Sequence, residues 1–237
     1  MKAAYTGWTW ITNREPEAAK NQLKQAFQEC KFLGYDTVEN FAFIRDYYAD
    51  DPQALVDLTK ECGVDLVNLY GHFTFDVEEA IRIAKEFGVK LTLEHCTEGQ
   101  LAAERFAAEG YPMAVGPSLT HASKFELRNK TFATPGILAR AGAHVSIITD
   151  SPVIPQHYLP LCAGLAVKSG MDPYDALRAI TLCPAEHIGV ADRVGSIEAG
   201  KDADIVFCRG DVMDVSGDVV RVLIEGRDVD MSGKGEE

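Results

Sequence analysis

Short apolar runs alternate with longer stretches in which apolar residues recur every three to four positions. AAYTGW (3–8), DTVENFAF (36–43), DLVNLYGHF (65–73), VKLTLEHC (89–96), PMAVGPS (112–118) and HVSIITD (144–150) have the length and the β-branched or aromatic content of strands. Between them lie helical patterns: EPEAAKNQLKQAFQECKFLG (15–34), DPQALVDLTKECG (51–63), DVEEAIRIAKEFG (76–88), EGQLAAERFAAEG (98–110) and TPGILARAG (134–142). Asp51-Pro52 opens one of these helices, and Gly34, Gly63 and Gly88 stand where C-terminal caps belong. YLPLCAGLAVKSG (158–170) and DPYDALRAITLCPAEHIG (172–189) predict two further helices.

Strands that alternate with helices of this length imply parallel strands joined by right-handed crossovers, hence an α/β fold. A closed (β/α) barrel needs eight strands, and this pattern supplies about six. The architecture is therefore TIM-barrel-like but incomplete or rearranged: a small or distorted barrel, an open sheet, or an assembly completed by a second chain. From about residue 194 the helical period gives way to short strands and Gly turns, which predicts a small β appendage over 194–230 after a main domain of 1–193. Residues 231–237, MSGKGEE, read as a disordered tail.

The 237 residues are 46% hydrophobic and 25% charged, ordinary values for a globular chain with a substantial core. A formal charge of −13 argues against nucleic acid as a partner, because phosphate binding needs a basic surface. No apolar stretch is long enough for a membrane span, and the N-terminus lacks a signal-peptide pattern, so a cytoplasmic protein is expected. The six cysteines are scattered without a C-x-x-C pair and read as reduced, small hydrophobes.

In parallel α/β folds the chemistry gathers where strands end and loops leave the sheet. The polar residues at those ends are Glu39, His72, Glu94, His95, Ser118 and Asp150. Two histidines and an aspartate on three strand ends suit a divalent transition metal, zinc above all. Imidazole and carboxylate donors leave one coordination position for water there. Taken singly, His72 reads as a hydrogen-bonded loop residue and Asp150 as the cap of the helix after it. Glu39 and Ser118 are weaker candidates for substrate contacts, and His121, His144, His157 and His187 read as structural or solvated.

Several segments carry a family resemblance: AIRIAKEFGVKLTLEHCTEG, VGPSLT, NKTFATPGILARAGAHVSIITDSPVIP, CPAEHIGVADRVGSIEAGKDADIV and VLIEGRDV. Together they make residues 76–229 similar to the amidohydrolase superfamily, in particular its imidazolonepropionase-related branch. The resemblance implies a metal-dependent (β/α)8 barrel that hydrolyses C–N bonds of small-molecule amides. It also implies His95 as the sixth-strand histidine, Asp150 as the eighth-strand aspartate that ligates metal and moves the proton of the attacking water, and His72 at the fifth-strand position. The family's H-x-H at the first strand and its fourth-strand lysine have no counterpart in this chain.

Residues 1–75, with YTGWTW, LGYDTVENF and LVNLYGHF, resemble instead the xylose-isomerase-like sugar isomerases and epimerases. On that reading the chain is a chimera joined near Asp76. Three functions stay open: a metal-dependent amidohydrolase, a sugar isomerase or epimerase using Glu39 and His72, and an inactive scaffold. An open parallel sheet would leave unpaired edges, which makes a homo-oligomer a further expectation.

Overall fold

A computed structural model describes residues 4–6, 10–70, 77–122 and 127–231. The chain forms two compact units, Met1–Phe87 and Gly88–Glu237.

In the first unit, β1 (Ala4–Thr6), β2 (Thr37–Phe41) and β3 (Asp65–Tyr70) form a parallel sheet in the order β1-β2-β3. They alternate with α1 (Pro16–Phe32), α2 (Pro52–Cys62) and α3 (Val77–Phe87). Pro16 opens α1, whose buried residues Ala19, Leu23, Ala26, Phe27 and Cys30 keep helical spacing along one face. That face packs with Val38 of β2 and Ile44 in one core cluster. Asp51 caps α2 by accepting from Ala54 N at 3.2 Å, and Gly63 closes it with φ 67. Both ends of α2 therefore lie where the Asp-Pro and Gly signals predict them.

The second unit contains α4 (Ala103–Glu109), β4 (Met113–Val115), α5 (Thr134–Arg140) and β5 (Val145–Ile147). After these come α6 (Leu159–Lys168), α7 (Pro173–Ala179) and α8 (Leu182–His187), then β6 (Ile205–Arg209), β7 (Asp218–Ile224) and β8 (Arg227–Asp228). β4 and β5 pair in parallel, Met113 with Val145 and Val115 with Ile147, and every residue of both strands is buried. Continuous apolar runs suit a parallel pair covered on both faces. Met113, Val115, Leu138 and Val145 share one core cluster, while Ile147 joins a second with Ile154, Cys162, Met171 and Met213. The last three strands form a separate antiparallel sheet in the order β6-β7-β8, turned between β7 and β8 by Glu225 (φ 51) and Gly226 (φ 74).

The α/β class read from the alternation is what the chain adopts, with three details corrected. The strand expected over 89–96 shrinks to one parallel bridge, Leu93 with Met113. Ladder hydrogen bonds continue to His95 O and end where the backbone turns left-handed at His95 (φ 68) and Cys96 (φ 34). The helix expected over 98–110 starts as a 3-10 turn, Gly99–Ala102, before α4. The helix expected over 172–189 is broken into α7 and α8 at Ile180 and Thr181. Pro184 has no N–H to give, and its ring would clash with the carbonyl four residues back in a continuous helix. The Thr181 hydroxyl donates instead to Leu177 O at 2.7 Å. Among the described residues, no helix is long and apolar enough to cross a membrane.

Leu138 is fully buried in the cluster beneath β4 and faces Gly99. Leu138→Ala is expected to lower unfolding free energy by about 2–5 kcal/mol, the usual range for a leucine removed from a close-packed core. Urea denaturation measures it, and a loss below about 1 kcal/mol would contradict the packing described.

Candidate active site

Asp150 stands three residues beyond the end of β5. The chain turns sharply there: Asp150 has φ 54, its carbonyl accepts from Val153 N at 2.8 Å, and Thr149 O accepts from Ile154 N at 3.2 Å. Ile154 is buried and ties this turn to the core. The cap role considered for Asp150 does not hold, because α6 starts only after Tyr158 and has no side-chain cap. Its carboxylate is instead turned to His95, whose Nε2 lies 3.4 Å from Asp150 Oδ2.

His95 reaches that position from the row on the other side of β4. Leu93 N donates to Pro112 O at 3.0 Å, and Leu93 O accepts from Ala114 N at 2.9 Å. His95 O then accepts from Gly116 N at 2.9 Å, so the ladder carries the backbone as far as His95 before it turns. Cys96 N donates to Glu94 O at 2.9 Å and Gly99 N to Cys96 O at 3.0 Å, which closes the turn. Both side chains are open to solvent, His95 at 57% and Asp150 at 38% exposure.

Among the described residues, four other than glycine have positive φ: His95, Cys96, Asp150 and Glu225. Three of the four build this one pair. Such conformations are uncommon, and they persist where surrounding structure holds them in place. The Cys96 thiol is pushed up to about 12, chiefly by burial and then by the charge of Glu94. It is therefore a neutral thiol near pH 7 and supplies no thiolate beside His95.

Gly116 makes the approach of the two strand ends possible. It has φ +152, and a Cβ on it would lie 2.2 Å from Ile148 O. Pro117 and Ser118 follow, and Ser118 is half-buried. Lys130 Nζ holds the loop beyond them by donating to Thr120 O, to Thr120 Oγ1 at 2.6 Å and to His121 O at 3.5 Å. Burial lowers the pKa of that ammonium.

The strand-end residues named from the sequence thus have different fates. His95 and Asp150 come together. Ser118 sits on the adjacent strand end, two residues past Gly116. Glu39 belongs to the first unit, where its carboxylate accepts from Tyr70 Oη at 3.1 Å. His72 lies outside the described residues. His144 and His187, read from the sequence as structural or solvated, meet each other with ring centroids 6.5 Å apart at the opposite end of β5. No local spacing marks them, because His144 and its partner Glu186 are 42 positions apart.

With this geometry the chain matches the amidohydrolase family over residues 15–229, and it belongs to that family. The match runs unbroken across Asp76, so one family accounts for both sides of the join that the sequence suggested, and nothing supports a xylose-isomerase-like origin for residues 1–75. Over 156 residues the chain is 32% identical to an imidazolonepropionase of Geobacillus kaustophilus, a stretch covering 63% of this chain and 33% of that one. It is 42% identical over 72 residues to an adenine deaminase of Methanosphaera stadtmanae, covering 30% of this chain and 12% of the other. Among solved structures, an amidohydrolase from Thermotoga maritima MSB8 superposes with TM-score 0.65 at 28% identity, covering 96% of this chain and 61% of that one. The chain thus spans a third or less of these two curated relatives.

Gly116→Ala would place a methyl group against the Ile148 carbonyl in a conformation that L-residues avoid. The substitution is expected to destabilise the protein by about 2 kcal/mol or more. The His95 imidazole resonances should shift as the strand ends part. Urea unfolding and NMR measure the two effects, and an alanine variant within about 0.5 kcal/mol of the parent with unmoved His95 resonances would contradict this role.

Proposed function

We propose that this chain is a metal-dependent hydrolase of C–N bonds in small, non-peptide amides, and that His95 and Asp150 form the centre of its active site. One observation carries the reading: an imidazole and a carboxylate that leave the rows on either side of β4 and meet 3.4 Å apart, open to solvent. The family membership supports it, as does the likeness to a solved amidohydrolase, which also favours a (β/α) barrel-like arrangement.

The pair fits a zinc ion. Two donors on one tetrahedral zinc, each about 2.0–2.1 Å from the metal, stand about 3.3–3.4 Å apart. Among the described residues no third His, Cys, Asp or Glu completes a cluster with them. His72, the third ligand that the sequence suggests, lies outside the described residues. A bound divalent ion would supply Lewis acidity and lower the pKa of water. With Asp150 Oδ2 on the ion, the second oxygen of that carboxylate would accept a proton from the attacking water and return it to the leaving nitrogen. His95 would give its Nε2 lone pair to the same ion. Ser118 lies on the next strand end, where a substrate polar group would be met.

The chain's likeness to an imidazolonepropionase and an adenine deaminase suggests the first substrates to try, imidazolones and aminopurines. Hydrolysis by the zinc-loaded protein is expected to fall at least about a hundredfold in Asp150→Ala and in His95→Ala, with bound zinc reduced in both. Loss of imidazolone absorbance, ammonia release from the aminopurines and metal analysis are the measurements. Wild-type protein that binds no metal and turns over none of the panel would instead favour a non-catalytic scaffold, a reading kept in view by the missing H-x-H.

A homo-oligomer and a cytoplasmic setting belong to the same proposal. At the sheet edge among the described residues, β3 exposes Val67, Leu69 and Tyr70, an apolar strand suited to pairing. All six cysteines are free, which suits a reducing compartment. Light scattering after size exclusion is expected to give a mass of at least two chains, and a monomer at micromolar concentration would contradict the oligomer.

A further inference from the structure

The residue that starts β5 has its own cluster. His144 is fixed by the sheet, since its carbonyl accepts from Met113 N at 2.9 Å. Cys183 and Glu186 lie three positions apart on α8, and so on one helix face. One donor atom from each of His144, Cys183 and Glu186 lies within 4.8 Å of the others.

A plain ion pair accounts for part of this arrangement only. His144 Nε2 stands 2.9 Å from Glu186 Oε2, which uses one ring nitrogen. The other, Nδ1, is buried and has no hydrogen-bond partner. A buried polar atom in that state calls for a further occupant such as an ion. Beside it sits the buried Cys183, a soft donor that a His–Glu pair has no use for.

We propose that His144, Cys183 and Glu186 form a second divalent-metal site, selective for zinc or a similar thiolate-preferring ion, which clamps α8 to the start of β5. Imidazole, thiolate and carboxylate are the three donor types zinc accepts, and the cluster need contract by only about 1 Å to reach usual bond lengths. On binding, the Cys183 thiol gives its proton to solvent as the sulfur–metal bond forms. His187, whose ring centroid lies 6.5 Å from that of His144, stands outside the three-donor cluster. The site stands apart from the His95–Asp150 pair. His144 and Asp150 are separated by six residues of strand and turn, on the order of 15–20 Å at about 3.3 Å per residue.

The test uses the full chain carrying His95→Ala and Asp150→Ala, so that metal at the proposed active site does not contribute and failure of either proposal can be told from failure of the other. Cobalt(II) is the probe. One equivalent is expected to produce thiolate-to-cobalt charge-transfer absorption that zinc abolishes by displacement. Cys183→Ser should remove the band, and Glu186→Gln, at a partly exposed position that does not threaten folding, should weaken cobalt binding at least tenfold. Absence of the band in folded protein, its persistence in folded Cys183→Ser, or unchanged affinity in Glu186→Gln would overturn the site.

Discussion

Parallel pairing between β4 and β5 decides where the chemistry of this chain can happen. With Met113 opposite Val145 and Val115 opposite Ile147, the two strands end level, and the residues just beyond them face the same space. The Leu93 bridge adds a third row in step with both. His95 leaves that row and Asp150 leaves β5 on the two sides of β4, and the ladder bond from Gly116 N to His95 O ties the first of these exits to the end of β4. Burial of every residue in β4 and β5 makes the register costly to change, since a one-residue slip would turn Val115 or Ile147 out of its cluster. The position of the His95–Asp150 pair is thus an outcome of core packing.

Local backbone conformation then does what the strands cannot. Left-handed turns at His95, Cys96 and Asp150 redirect the chain within a residue or two of the ladder. Each is held from outside: the first by bonds from Cys96 N and Gly99 N, the second by Ile154 anchored in the core. Gly116 contributes by lacking a side chain, which lets its backbone lie against Ile148. The pair is open to solvent while its support is buried, a division suited to groups that must meet a substrate without moving.

How much of this was legible depends on how local each feature is. The ends of α2 were readable because Asp51-Pro52 and Gly63 act within a single turn of chain. β5 and its terminal acid were readable as an apolar run stopping at Asp150. The reduction of residues 89–96 to one bridge was not, because left-handed φ at a histidine leaves no trace in an apolar pattern. Pro184 did mark the break between α7 and α8, but the apolar period runs through it and outweighed the signal. His95 and Asp150 were named from strand-end logic and family resemblance, and their convergence is a tertiary fact. The meeting of His144 with Cys183 and Glu186 depends on α8 packing against β5 and has no sequence signature.

The chain belongs to the amidohydrolase family, while the absence of an H-x-H makes its ligand set its own question. The central claim is that His95 and Asp150 hold a metal between them. Anomalous diffraction at the zinc edge, from crystals grown with zinc, tests it most directly. The account predicts an anomalous peak within about 2.0–2.2 Å of both His95 Nε2 and Asp150 Oδ2. Density maps with no peak there, and the two side chains bonded only to each other, would contradict it.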